Sequence, residues 1–553
     1  MTELALQDET LFAPIAGLRD FSVDGDRYYR MLAESDDPIL SVGGILGLIE
    51  RDAVQHGDLP RLRELCRHGA VRRRAFNHFT RLSDHILAAE VAALGPDTVK
   101  DLEKASIEAR SRNDNGKQRD VEIAKYLAWG EVGMLRNAAT SAELVEGWRG
   151  TVQILAKAVA VRPDDPKAFS ALATTLESAR RYDLLEYALA QAVGIEMLEL
   201  QADVFRAGVR LAAGDAEGCL SQLKEFEDRG RAARRQYSIG AAGEQLRAKA
   251  HYKLGRYREA FRSYASMNTI DAASFEPTSY IADCLARNAQ AVPPLPALDR
   301  PNYVMMLGFP RSGTTMLENA LAAHPRVETF EEVPSIHATT SYIDRGNKGQ
   351  TEHEPRSAAL YLETRERYFS ALDRLRQKNG ADTYVDKLPI RSLIAPFMKH
   401  LIPSQRFIFS IRHPYDVALS CFQQRFGANP AMANFLNLLD TIRIYDLTMT
   451  EWFKVHSLDD PSVHYVRYDD LVTDFETVMR STLGFLGLDW NPAVLEFAER
   501  ASERANRTPS YQKVRQGLSL GVQTYWRNYD FLFTQAEAAP LTKWAKFFGY
   551  ETF

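Results

Sequence analysis

From about residue 35 to 285 the apolar positions recur at the three- and four-residue intervals of helices that bury one face, with few β-branched clusters between them. Three segments repeat one pattern, a short turn followed by an amphipathic helix: ESARRYDLLEYALAQAV (177–193), LAAGDAEGCLSQLKEFE (211–227) and YKLGRYREAFRSYASM (252–267). Anchored on Arg180, Gly214 and Gly255, the turns are 34 and 41 residues apart, and the longer interval holds a seven-residue insertion around GRAARRQYSIG (230–240). A weaker copy is HGDLPRLRELCRHG (56–69). The pattern predicts helix pairs that cannot bury their apolar faces alone, so that stacked neighbours supply the core and leave a concave surface.

The pattern changes at NAQAVPPLPALDRPNY (288–303), where Pro293, Pro294, Pro296 and Pro301 deny helix hydrogen bonds and favour an extended spacer. Beyond it, short apolar runs alternate with helices: YVMMLG (303–308), TYVDK (383–387), QRFIFSI (405–411) and VHYVRY (463–468). That order predicts an α/β domain with a central parallel sheet and crossover helices. The expected organisation is a helical domain over 1–290, a Pro-rich linker over 291–302 and an α/β domain over 303–553.

At 553 residues, two or more domains are the default, and a formal charge of -5 leaves no general attraction to nucleic acid or an anionic membrane. Any anion site must be local. Cys66, Cys219, Cys284 and Cys421 form no C-x-x-C, which suggests neither a disulfide framework nor a zinc site and favours a reducing compartment. The start, MTELALQDET, lacks the basic and apolar regions of a secretory signal, and PILSVGGILGLI (38–49) is short of the ~20 residues a membrane-spanning helix needs. A cytoplasmic protein without a transmembrane segment is expected.

LGFPRSGTTMLENALAAHP (307–325) carries the strongest chemical signal. Gly308 to Gly313 is the Gly-x-x-x-x-Gly frame of a phosphate-binding loop between a strand and a helix, which gathers backbone N–H groups at the positive end of the helix dipole. An ATP or GTP site would continue with Lys, where this chain has Thr314 and Thr315. Arg311 and the hydroxyls suit a single phosphate bearing a transferable group, and a nucleotide kinase falls to third place.

PRSGTT (310–315) after a strand, with AHP (323–325) closing the next helix, resembles the 5′-phosphosulfate loop of sulfotransferases, above all tyrosylprotein sulfotransferases and bacterial sulfotransferases with tetratricopeptide repeats. The helical half agrees with the second group, since 34 is the tetratricopeptide period and Pro163 stands 17 residues before Arg180, as such a repeat ends. The resemblance spans roughly 300–535 and implies the donor 3′-phosphoadenosine-5′-phosphosulfate (PAPS), without a metal. Pro310, Arg311, Ser312, Gly313, Thr314 and Thr315 are then its 5′ contacts. In FIFSIRHPYDVALSCF (407–422), Arg412 and Ser420 match the 3′-phosphate segment, where a dianion calls for a fixed guanidinium and a hydroxyl.

The resemblance also assigns catalytic roles. Glu332 of FEEVP (330–334) matches the general base, with Glu331 as its fallback because the glycine that precedes the family's glutamate is absent here. Lys387 of YVDKLP matches the lysine that meets the leaving oxygens, and Arg311 assists it. His324 and His413 precede prolines and read as structural. In TPSYQKVRQGLSLGVQTYWRNY (508–529), Ser510, Arg515 and Trp526 are further candidate donor contacts. The expected activity is sulfuryl transfer to a hydroxyl or amine of a peptide, saccharide, lipid head group or small molecule, with the repeat half docking substrate or a protein partner. The alternative is a scaffold whose α/β half holds PAPS or its product without turnover.

Overall fold

The computed structural model describes residues 11–16, 18–55, 96–111, 114–129, 131–232, 238–275, 279–298, 300, 302–333, 357–496 and 525–553. The chain divides into two compact units between Ile239 and Gly240. No helix among the described residues is long and apolar enough to cross a membrane.

The first unit is helical. Helix 132–161 is broken at Gly147, whose φ of 67° no helix accommodates. Helix α1 (Pro166–Ser178) starts where Asp165 accepts from Lys167 N with Pro166 in the first turn, and is followed by α2 (Tyr182–Gln191), α3 (Glu196–Ala212) and α4 (Ala216–Ala232). Phe169, Leu172 and Leu176 of α1 and Leu185 and Leu189 of α2 join one buried core, and α3 packs on both helices.

The three anchor positions of the repeating pattern have one geometry. Arg180, Gly214 and Gly255 take φ of 57°, 93° and 72°, and the next N–H closes a bond to the carbonyl five residues back. These bonds, Arg181 N to Leu176 O, Asp215 N to Arg210 O and Arg256 N to His251 O, are each 2.9 Å. This is the left-handed helix stop that reverses a chain within a few residues. The weak copy at 56–69 lies outside the described residues.

The second unit opens with the third pair, α5 (Gly240–Lys253) and α6 (Tyr257–Ala272). The packing thus divides the chain before the proline-rich stretch rather than at it. That stretch lies along the second unit, where Leu298 N and O both bond Ser404 Oγ, at 3.1 and 2.8 Å, and Pro296 O accepts from Arg365.

Five parallel strands follow: β1 (Tyr303–Gly308), β2 (Val327–Glu331), β3 (Thr383–Lys387), β4 (Arg406–Ile411) and β5 (Val463–Arg467), in the order β2-β3-β1-β4-β5. Every residue of β1 is buried; Met305 and Leu307 enter one core and Val304 and Met306 the other, as expected of a central strand covered on both faces. Strand β2 was not among the expected strands, because VETFE carries acids at 328 and 331, which break any apolar alternation, and reads as a polar turn. It is an edge strand, where half-exposed acids are tolerated. Helix α7 (Thr314–Ala323) follows β1 and helix α8 (Pro414–Phe422) follows β4.

Candidate active site

Strand register decides which side chains meet. Met306 of β1 pairs with Lys387, and Gly308 pairs with Ser410, so the carboxyl ends of β3 and β4 flank the loop that leaves β1. Strand order reverses direction about β1, which is where open α/β sheets bind ligands.

The loop is held in a shape few residues accept. Gly308 has φ 145°, and a Cβ there would lie 2.7 Å from Ser410 O. Ser392 Oγ, 3.0 Å from Gly308 N and 2.8 Å from Gly308 O, closes the strand end. Gly313 has φ 91°, and its Cβ would press into the Tyr468 ring at 2.3 Å. Gly313→Ala is therefore expected to shift the loop and weaken donor binding by about tenfold or more, from strain and clash together. Calorimetry with the desulfated donor checks this.

Among the described residues, three non-glycines take positive φ, and two of them are Arg311 (71°) and Glu332 (49°). Backbone outliers of this kind are kept where the surrounding structure fixes them for use. Arg311 Nε donates to Ser420 Oγ at 3.1 Å, and Arg412 Nη1 donates to Arg311 O at 3.2 Å. Arg412 also lies 3.6 Å from Asp416 and 4.7 Å over the Tyr468 ring. The three residues matched to two separate phosphate motifs thus form one cluster. Burial, with Arg412 adding to it, pushes the Arg311 guanidinium down to about 10, which leaves it charged at neutral pH.

Two buried donors at this cluster, Arg412 Nε and Ser410 Oγ, have no hydrogen-bond partner among the described residues. No side chain caps the first turn of α7, where Ser312, Thr314 and Thr315 are buried. Uncapped helix N–H groups, buried hydroxyls and an unpartnered guanidinium N–H are the donor set an anionic phosphate requires, so these residues fit the group that the sequence implies.

The second cluster centres on Lys387, which is fully buried. Its Nζ is 3.1 Å from Glu331, 3.3 Å from Glu332 and 3.3 Å from Glu318. Burial alone would lower the lysine, but the attraction of Glu318, Glu331 and Glu332 outweighs it and holds the ammonium above the ordinary lysine range. The two adjacent acids differ in access. The Glu331 side chain is 9% exposed and that of Glu332 42%, so of the pair only Glu332 is open to an incoming molecule. Glu332 N is tied to Lys387 O at 2.8 Å, which fixes this carboxylate beside the cation.

Asp386 is buried against Arg391 at 2.6 Å and Tyr368 at 2.6 Å, a structural role. His324 and His413 are structural as well: His324 bonds Asp489 O, and His413 bonds Glu551 O while accepting from Tyr415 N. Burial pushes His413 down to about 4 from 6.5. Below pH ~6.5 the unfolded chain takes up a proton that folded His413 refuses, so stability falls as the pH drops from ~6.5 toward 4. A pH series of melting curves on His413→Gln should show that slope reduced.

Trp526 is buried, its ring 4.5 Å from His413, and its backbone N–H donates to Asp416, the partner of Arg412. It supports the phosphate cluster from behind rather than offering an open face. Ser510 and Arg515 lie outside the described residues. Pro310 belongs to the loop, and its carbonyl accepts from Cys421. Sequence reasoning missed Glu318, Ser392, Asp416 and Tyr468.

Residues 301–492, all within the second unit, match the model described as the sulfotransferase family. An uncharacterised protein of Aquifex aeolicus is 28% identical over 237 residues, which cover 41% of this chain and 30% of that protein. The nodulation protein NoeE of Sinorhizobium fredii is 24% identical over 242 residues, covering 37% of this chain and 53% of NoeE. The chain thus spans about a third to a half of the length of these relatives. Among solved structures, the sulfotransferase domain of the Synechococcus PCC 7002 olefin synthase aligns with 46% of this chain and 98% of its own, at 21% identity and a TM-score of 0.34.

Proposed function

We propose that this protein transfers a sulfuryl group from PAPS to a hydroxyl or amine of an acceptor. The observation that carries the reading is that the carboxyl ends of neighbouring parallel strands bear both an arginine–hydroxyl cluster suited to phosphate and a buried lysine beside one open carboxylate. Arg311, Ser312, Thr314 and Thr315 would hold the 5′-phosphosulfate, and Arg412 and Ser420 the 3′-phosphate. Glu332 takes the proton of the acceptor as the acceptor–sulfur bond forms and the sulfur–phosphate oxygen bond breaks. Lys387 and Arg311 stabilise the charge that the leaving oxygen gains, and cations fixed before the reaction do this at little reorganisation cost.

The common turn of the three helix pairs, and the 34-residue interval between the first two, support a tetratricopeptide-like reading of residues 150–267, and a surface of that kind suits an extended acceptor or a protein partner. The buried, reduced thiols of Cys284 and Cys421 suit a reducing, cytoplasmic setting.

Two measurements test the reading. Transfer of labelled sulfur from PAPS to an acceptor pool should occur without added magnesium, and PAPS or its desulfated product should raise the melting temperature. A ligand at a hundredfold excess over Kd adds about 2.7 kcal/mol. Stabilisation by ATP with magnesium, and none by PAPS, would overturn the proposal. Arg412→Ala should weaken binding of the desulfated product ~30–150-fold, the value of a charge-assisted contact to a buried phosphate. Unchanged affinity would remove Arg412 from the site.

A further inference from the structure

Helix α8 carries Asp416 and Ser420, one paired with Arg412 and the other bonded to Arg311. Its C-terminal end is fastened by α5 and α6, which the sequence pattern groups with the repeats. Asn268, 3% exposed on α6, donates to Phe422 O, the last carbonyl of α8, at 2.9 Å. Gln245 of α5 donates to Gln423 O at 3.3 Å. The Phe422 ring enters the core of the helix pair among Ala248, Tyr264 and Met267, stacked on Phe261 at 5.1 Å. Just beyond, Arg425 makes two bonds to Asp271, of 2.9 and 3.0 Å.

A helix end leaves four carbonyls without intrahelical partners, and a helix two and a half turns long depends on outside groups to hold its last turn. Ser420 is in that last turn, two residues before Phe422. A buried amide that satisfies the Phe422 carbonyl therefore sets the place of the Ser420 hydroxyl and, through it, of the Arg311 side chain.

We propose that α5 and α6 are part of the scaffold of the donor site, with Asn268 and Asp271 as positioning residues that act on Ser420 through α8. The inference rests on the donor reading above and assigns the third helix pair to the nucleotide rather than to the docking surface. Donor affinity thereby becomes sensitive to substitutions in a helix that touches no donor residue.

The test uses the full chain and adenosine 3′,5′-bisphosphate as probe. Asn268→Leu keeps size and removes the donor; it should weaken binding of the bisphosphate about tenfold and speed amide exchange at 418–423 about tenfold. Asp271→Ala should move both in the same direction, about threefold, the smaller effect of a half-exposed ion pair. Leu372→Ala, a core truncation in the helix Ala358–Asp373, outside α5, α6 and α8, lowers the melting temperature at least as much but should leave both readouts at the wild-type value. Unchanged exchange in α8 in Asn268→Leu overturns the proposal, as does an equal response in Leu372→Ala. Should Asn268→Leu not fold, Asp271→Ala decides by the same comparison. If the wild-type chain does not bind the bisphosphate, the donor reading fails, and exchange in α8 alone decides the positioning role.

Discussion

Lys387→Met is expected to lower kcat by ~10²–10³, because a fixed cation beside the leaving oxygen stabilises the transition state more than the ground state. It should also destabilise the fold. Glu318, Glu331 and Glu332 converge within 3.3 Å of the ammonium, and without it they face one another with no cation at the centre. Breaking a buried ion cluster by removing one partner costs about 3–5 kcal/mol. The sign with pH is definite: like charges raise carboxylate pKa values, so in the variant the folded state binds protons more readily than the unfolded one. Its stability deficit should therefore shrink as the pH falls through the carboxylate range. Chemical denaturation at pH 7 and pH 5, with the wild type alongside, checks this. A deficit independent of pH would mean that lost packing, rather than charge, dominates the site.

Glu332→Gln is expected to keep donor affinity and lower kcat by ~10²–10⁴, the range for a positioned general base. The amide preserves shape but takes no proton. Glu331→Gln should cost less in turnover, since its side chain is nearly closed to solvent and faces Lys387. If Glu331→Gln is inactive while Glu332→Gln turns over normally, the register of the base is off by one. Full activity in both would place the base elsewhere even with PAPS as donor.

Much of the sheet was legible in the sequence. YVMMLG and TYVDK coincide with β1 and β3, and QRFIFSI extends β4 by one residue, because short unbroken apolar runs have few alternatives to a strand covered on both faces. Strand β2 escaped because edge strands are not required to be apolar. The pairing of Arg311 with Ser420 and Arg412 followed from two motifs about a hundred residues apart, yet their joining by hydrogen bonds was not written in either. Glu318 and Asn268 were hidden for another reason: a polar residue on a helix reads as solvent-facing until a partner from a distant segment covers it.

The sequence by itself determined the loop chemistry, since the missing lysine, the positive-φ glycines and the adjacent hydroxyls follow from local steric and hydrogen-bonding rules. It also determined the phase of the helix pairs, because Arg180, Gly214 and Gly255 stop helices by local backbone geometry. Only the tertiary structure decided that Glu332 is open and Glu331 nearly closed, that three carboxylates share Lys387, and that the third helix pair belongs with the unit that holds the parallel sheet. Exposure, charge clustering and unit membership depend on contacts between segments far apart in the chain, and no short window of residues contains both sides of such a contact.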